Sequence, residues 1–154
     1  MATKTLGINC TSATIFFAET TNREAAFKII NCNHLDFAIE TVTDMLALHH
    51  AVRTVLETAS NNGVTRIAIL KCSSGLRGSS VEAIKAEGIV ELIASQLELD
   101  FVRVAPQSLP SALGCAKGEK WPQKAKALFN PDKSWKHWNG TDGAVSAAYK
   151  AVLS

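Results

Sequence analysis

The sequence predicts one α/β domain, residues 1–154, on a mixed five-stranded sheet in the order β-β-β-α-β-α-β-α, with helices on both faces. Two observations carry this. Strand-like runs at residues 6–10, 13–18 and 27–33 come first, separated only by Thr11 and Ser12 and then by the polar stretch 20–24, which reads as a turn. Such short separations make an antiparallel meander. Residues 65–106 then read strand, polar loop, helix, strand, an order that requires a right-handed crossover between parallel strands.

Composition bounds the function classes. A chain of 154 residues buries a sizeable core without disulfides or metal. With 47% apolar and 19% charged residues it falls outside the disordered class, and a net charge of +2 neither demands nor excludes a nucleic acid. Cys10, Cys32, Cys72 and Cys115 are widely spaced with no CxxC pair, as expected of reduced, partly buried thiols. No apolar run reaches the roughly 18 residues of a membrane span, so the expectation is a cytoplasmic protein with no membrane partner.

The elements follow from local pattern. In the third strand, Phe27, Ile29 and Asn31 alternate with Lys28, Ile30 and Cys32. Met45, Leu48, Val52, Val55, Leu56 and Ala59 recur at helical spacing over residues 43–60, and Asn61, Asn62 and Gly63 stop that helix. His49 and His50 point about 100° apart on it and cannot share a metal; His50 is expected at the surface and His49 at its boundary. Ser79 and Glu82 have the spacing of a capping box opening the second helix. That helix, residues 81–97, is apolar over a wide arc, with one row at Val81, Ile84, Gly88 and Leu92 and another at Ile89, Ile93 and Leu97. Such breadth suits burial on one side and a homodimer contact on the other, with Gly88 allowing a close helix approach. After a strand at residues 101–104 come a short helix near 108–113, a loop at Lys117 and Gly118, and a helix opened by Pro122. Trp135, His137 and Trp138 fall in a loop, and a last helix spans residues 142–153 with Val145, Ala148, Tyr149 and Val152 inward. Trp121, Trp135 and Trp138 are expected to pack the C-terminal segment onto the sheet.

This order resembles the ribonuclease H-like fold, and within it the RuvC-type Holliday-junction resolvases. The residues that carry the resemblance are Leu6-Gly7-Ile8-Asn9 for that family's L-G-I-D strand, residues 66–70 for its fourth strand and Ala86-Glu87-Gly88 for A-R-G in its long helix. Lys117-Gly118 through Lys124 stands for its K-G-x-x-x-K loop, and residues 139–148 for its last helix start. The resemblance implies a nuclease holding two divalent ions with four carboxylates. Its positions fall on Asn9, on Leu70 or Lys71, and on Asn139 and Asp142, so one carboxylate of four remains. Magnesium requires oxygen ligands, which Leu70 and Lys71 do not offer.

The leading expectation is therefore a catalytically degenerate RuvC-like domain serving as a nucleic-acid-binding or protein-interaction module, with no cofactor. Arg77, Lys117, Lys120 and Lys124 are the candidate phosphate contacts and Trp121 a candidate stacking residue. One alternative is an active Mg- or Mn-dependent nuclease with a rearranged site drawing on Glu19, Glu82, Glu87 or Glu119. Another is a small-molecule-binding α/β domain of flavodoxin type, which requires an entirely parallel sheet. Cys10 and Cys72 follow neighbouring strands, so a redox pair is a further candidate if a thiol pKa is depressed. The loop of residues 73–80 lacks the spacing of a phosphate-binding P-loop.

Overall fold

Strand β1 (Thr3–Cys10) is buried along both faces of its central part, with Leu6, Ile8 and Cys10 on one and Thr5 and Gly7 on the other, and it pairs on both edges. In the computed structural model, which describes residues 3–23, 26–72, 80–131, 135 and 137–153, β1 lies antiparallel to β2 (Thr14–Arg23) and parallel to β4 (Val64–Leu70). With β3 (Ala26–Asp36) and β5 (Asp100–Val104) the sheet runs β3-β2-β1-β4-β5. The antiparallel β1–β2 pair removes the flavodoxin-type reading, which needs every strand parallel.

Side-chain alternation on β1 separates two cores. Leu6 and Ile8 face helices α1 (Val42–Asn61) and α2 (Val81–Gln96), joining Ile67, Ile69, Val52, Leu56, Val90 and Ile93. Gly7 and Asn9 face the opposite side, where α5 (Trp138–Leu153) lies along β1 with α3 (Leu109–Leu113) and α4 (Trp121–Phe129) beside it. Helix α1 opens with a reciprocal cap: the Asp44 N–H donates to the Thr41 hydroxyl and the Thr41 N–H to the Asp44 carboxylate. Gly63, at φ +97°, turns the chain from α1 into β4. His50 is exposed and His49 half-buried, as their places on the helix require.

Three local expectations are corrected. Residues 20–23 continue β2 rather than turning, with Arg23 opposite Ala26. The steady alternation expected along β3 is broken by a bulge: Thr20 pairs with Ile29 and Glu19 with Asn31, leaving Ile30 as the extra residue. Asn31 consequently faces α1 with Glu19, whereas Ile29 and Cys32 pack towards α5. At α2 the N-cap is Ser80, whose hydroxyl accepts from the Ala83 N–H, so the Ser79–Glu82 box is not the cap; Ser79 lies outside the described residues. Gly88 is exposed, and among the described residues no atom comes within 4 Å of a Cβ built there, which leaves that face of α2 open. Val81, Ile84 and Leu92 on the same row are also exposed, while the row of Ile89, Ile93 and Leu97 packs inward.

Helix α5 also differs from a one-stripe amphipathic helix. It begins at Trp138, is broken by non-helical dihedrals at Asn139 and Gly140, and buries Thr141 and every residue from Gly143 to Ala148. Small side chains make this possible, since helix and strand backbones approach closely only where little projects between them. At the tightest point a Cβ on Gly7 would overlap the Ala144 carbonyl oxygen, which is backbone and cannot rotate away. Gly7→Ala is therefore expected to destabilise the fold by about 3 kcal/mol or more, read as a lower urea midpoint at unchanged slope. A loss under about 0.5 kcal/mol would refute this packing.

Candidate functional site

The carboxyl ends of β1 and β4 lie side by side, with Asn9 in register with Leu70, and the start of α5 crosses over both. The Asn9 amide nitrogen donates to the Gly140 carbonyl at 2.9 Å. Three residues on, a Cβ at Gly143 would stand 2.6 Å from that nitrogen and 3.0 Å from Leu70 Cδ2. Gly140 has the same property towards β2, where an added Cβ would overlap the Phe16 ring. Two glycines, one at the kink and one three residues on, thus seat the start of α5 on Asn9, Leu70 and Phe16.

The structure accordingly brings together Asn9, Leu70 and the segment containing Asn139 and Asp142. Asn139 is exposed at the kink. Asp142 is half-buried and accepts from the Gly143 N–H at 2.7 Å. Burial pushes its carboxyl pKa up, and the Gly143 bond opposes that shift. Lys71 is exposed just past β4, its backbone N–H bonded to the Val104 carbonyl at 2.8 Å.

These residues do not fit a pair of divalent ions. Asn9 offers one neutral amide oxygen, its nitrogen being bonded to Gly140, Leu70 presents hydrocarbon, and Asp142 is the one carboxylate among the matched positions, too few oxygens and too little negative charge for two divalent ions. No group of three or more His, Cys, Asp or Glu able to hold a metal occurs among the described residues. Of the carboxylates weighed as substitutes, Glu19 faces α1 across the sheet, Glu82 is exposed, and Glu119 accepts from the Ala116 N–H at 3.0 Å. Glu87 is the one that reaches the end of β4. It is buried, accepts from the Cys72 N–H at 3.0 Å and stands 3.5 Å from the Arg103 guanidinium, which also pairs with Glu91. Its two oxygens are thereby occupied in fastening α2 to the chain leaving β4 and to β5.

Cys10 is buried, and burial pushes its thiol pKa far up, with Cys72 and Glu87 adding to the shift. Cys32, also held from water, is pushed up to about 11. Cys10 and Cys72 are near one another, as their strands require, but the depressed thiol that redox chemistry needs is opposite to what Cys10 shows.

The basic candidates lie on the segment that leads into and through α4. Lys117 and Lys120 are exposed in the loop before α4, which turns at Gly118 with φ +82°, and Lys124 is half-buried on α4. Trp121 is half-buried against the cluster of Val104, Leu109, Leu113 and Ala125, so its ring is a packing element. Arg77 lies outside the described residues. One grouping escaped sequence reasoning: His34 on β3 and His137 before α5 have ring centroids 4.2 Å apart, both exposed. The only sequence signal was the side of β3 that His34 occupies, and the bulge at Ile30 concealed it.

Neither a protein-family model nor a curated protein matches the sequence. Solved structures do. Thermus thermophilus RuvC superposes with a TM-score of 0.76 at 12% identity, covering 99% of this chain and 94% of that one. The chain has the RuvC form of the ribonuclease H-like fold. Similar in the same way are the yeast mitochondrial Holliday-junction resolvase, at a TM-score of 0.62, 12% identity and coverage of 98% and 82%, and the fowlpox virus resolvase. The viral protein, solved with its Holliday-junction DNA, gives a TM-score of 0.54 at 10% identity and covers 97% of this chain and 98% of that one. In this structure Asn9, Leu70 and the start of α5, which carries Asp142, meet where β1, β4 and α5 converge.

The raised carboxyl of Asp142 has a signed consequence. A folded pKa above the unfolded value contributes stability below about pH 4, and that contribution is lost as pH rises through the folded pKa. Asp142→Asn keeps the acceptor for Gly143 and removes the charge. It is expected to melt higher than the parent at neutral pH, with the difference shrinking towards about pH 3.5 in thermal scans. A difference independent of pH would contradict the burial assigned to this group.

Proposed function

We propose that the chain is a catalytically degenerate RuvC-like domain that binds nucleic acid and does not cleave it. The observation that carries this reading is the Asn9 amide bonded to the Gly140 carbonyl, with Leu70 against Gly143, at the place where the resemblance puts metal-binding carboxylates. Affinity in this reading comes from phosphate contacts, which need cations on an exposed edge and no metal. Lys117 and Lys120, exposed in the loop before α4, are the principal contacts, with Lys124 and Arg77 as further candidates. The resolvases that share the fold support the ligand class, since the Thermus and fowlpox proteins were each solved with Holliday-junction DNA. Trp121 serves by packing the loop's exit rather than by stacking on a base. A nuclease built on a rearranged site is the weaker reading, because Glu87 is already bonded to Cys72 and paired with Arg103.

A mobility-shift titration over a range of salt, with four-way junction, duplex and single-stranded probes, tests this. Binding is expected to weaken in Lys117→Ala and Lys120→Ala, and the log–log salt slope on duplex DNA to become shallower by about 0.9 for each phosphate no longer neutralised. Absence of binding to every probe at low salt would sink the proposal. So would cleavage in Mg²⁺ or Mn²⁺ that disappears in Asp142→Ala.

A further inference from the structure

On the sheet face away from Asn9 and Asp142, α1 does not fully cover β2 and β3, and a cavity of about 290 Å³ remains between them. That is close to the small end of ligand-binding pockets, about 300 Å³. Leu6 and Phe17 supply apolar lining, and Glu19, Asn31, Thr54 and Thr58 supply polar lining.

The polar groups are biased towards accepting. The Thr54 hydroxyl donates to the His50 carbonyl at 3.0 Å and the Thr58 hydroxyl to the Thr54 carbonyl at 2.8 Å. With their protons so used, both oxygens offer lone pairs only. Glu19 on the same lining is half-buried, and its Oε1 is buried with no hydrogen-bond partner among the described residues. Lys4, a cation on the neighbouring strand β1, is occupied by the Asn62 carbonyl at 2.8 Å. Ion pairs among the described residues join Arg53 to Glu57 and Arg103 to Glu87 and Glu91, and none reaches Glu19. A desolvated carboxylate oxygen left unpaired is unfavourable, and its complement is a positively charged group with several N–H donors. The bulge at Ile30 belongs to this site, since it turns Asn31 to the same side as Glu19.

We propose that this cavity binds a small organic cation with an amidinium or guanidinium head on an apolar body, the head bridging Glu19 and the Thr54 and Thr58 oxygens. A planar head of that kind meets a carboxylate through two parallel N–H bonds, and the body rests on Leu6 and Phe17. The site is separate from the nucleic-acid surface, and neither proposal depends on the other.

Benzamidinium is the probe, titrated into the full chain and followed by amide NMR and calorimetry. Saturable shifts are expected at Thr54, Thr58 and Ala59, with neutral benzamide weaker and benzoate silent. Glu19→Gln keeps the shape and removes the charge, and is expected to weaken binding roughly ten- to hundredfold. Thr58→Val leaves Glu19 in place and is expected to weaken it less, which keeps the test decisive should Glu19→Gln not fold. The proposal is overturned by no saturable shift in the parent protein, by shifts confined to the α5 face, or by a folded Glu19→Gln or Thr58→Val variant binding as tightly as the parent.

Discussion

Helix α5 rests on β1 at backbone distance, and the rest of the α5 face depends on that contact. A side chain at residue 7 would occupy the space of the Ala144 carbonyl, so the glycine sets the separation of helix and sheet. Once that separation is set, small residues line most of the inner surface of α5, and the sequence supplies Gly140, Gly143, Ala144, Ala147, Ala148 and Ala151. The end of the helix is then brought down onto β1 and β4, where Asn9 and Leu70 meet it. An apolar residue and a neutral amide suit this close contact. Carboxylates would face the Gly140 carbonyl and would require cations to remain buried there.

The chemistry and the packing therefore point the same way. The convergence of β1, β4 and α5 is retained in its RuvC-like form, while the groups at that point bond to one another. Glu87 repeats the pattern on the other side of β4: a buried carboxylate close to the strand end, engaged by a backbone N–H and by Arg103. Lys117 and Lys120, exposed in the loop before α4, can meet a polyanion without any metal.

Much of the fold was legible because its signals are local. The tight Thr11-Ser12 separation specified the first hairpin, and the run of strand, loop, helix and strand specified the crossover, both as found. What was not legible depends on partners distant in sequence. The bulge at Ile30 exists only relative to β2, and an alternation read along β3 alone assigns Asn31 to the wrong face. The choice of Ser80 over Ser79 as the cap is a matter of one residue's backbone dihedrals. At the candidate site, Asn9 and Leu70 could be set against the carboxylate positions of the RuvC-type family once the resemblance was drawn, and the proposed loss of metal binding rests on that match. The bond that stands in their place, Asn9 to Gly140, spans 131 residues of sequence and carries no local pattern.

The central claim is that Asn9, Leu70 and Asp142 form a packed junction in place of a metal centre. Amide NMR of the full chain during Mn²⁺ addition tests it most directly, because the paramagnetic ion broadens signals around any site it occupies. The account predicts that the amides of Asn9, Gly140, Asp142 and Gly143 keep the line widths of other residues equally shielded from solvent. Selective, saturable broadening centred on those four residues would contradict it.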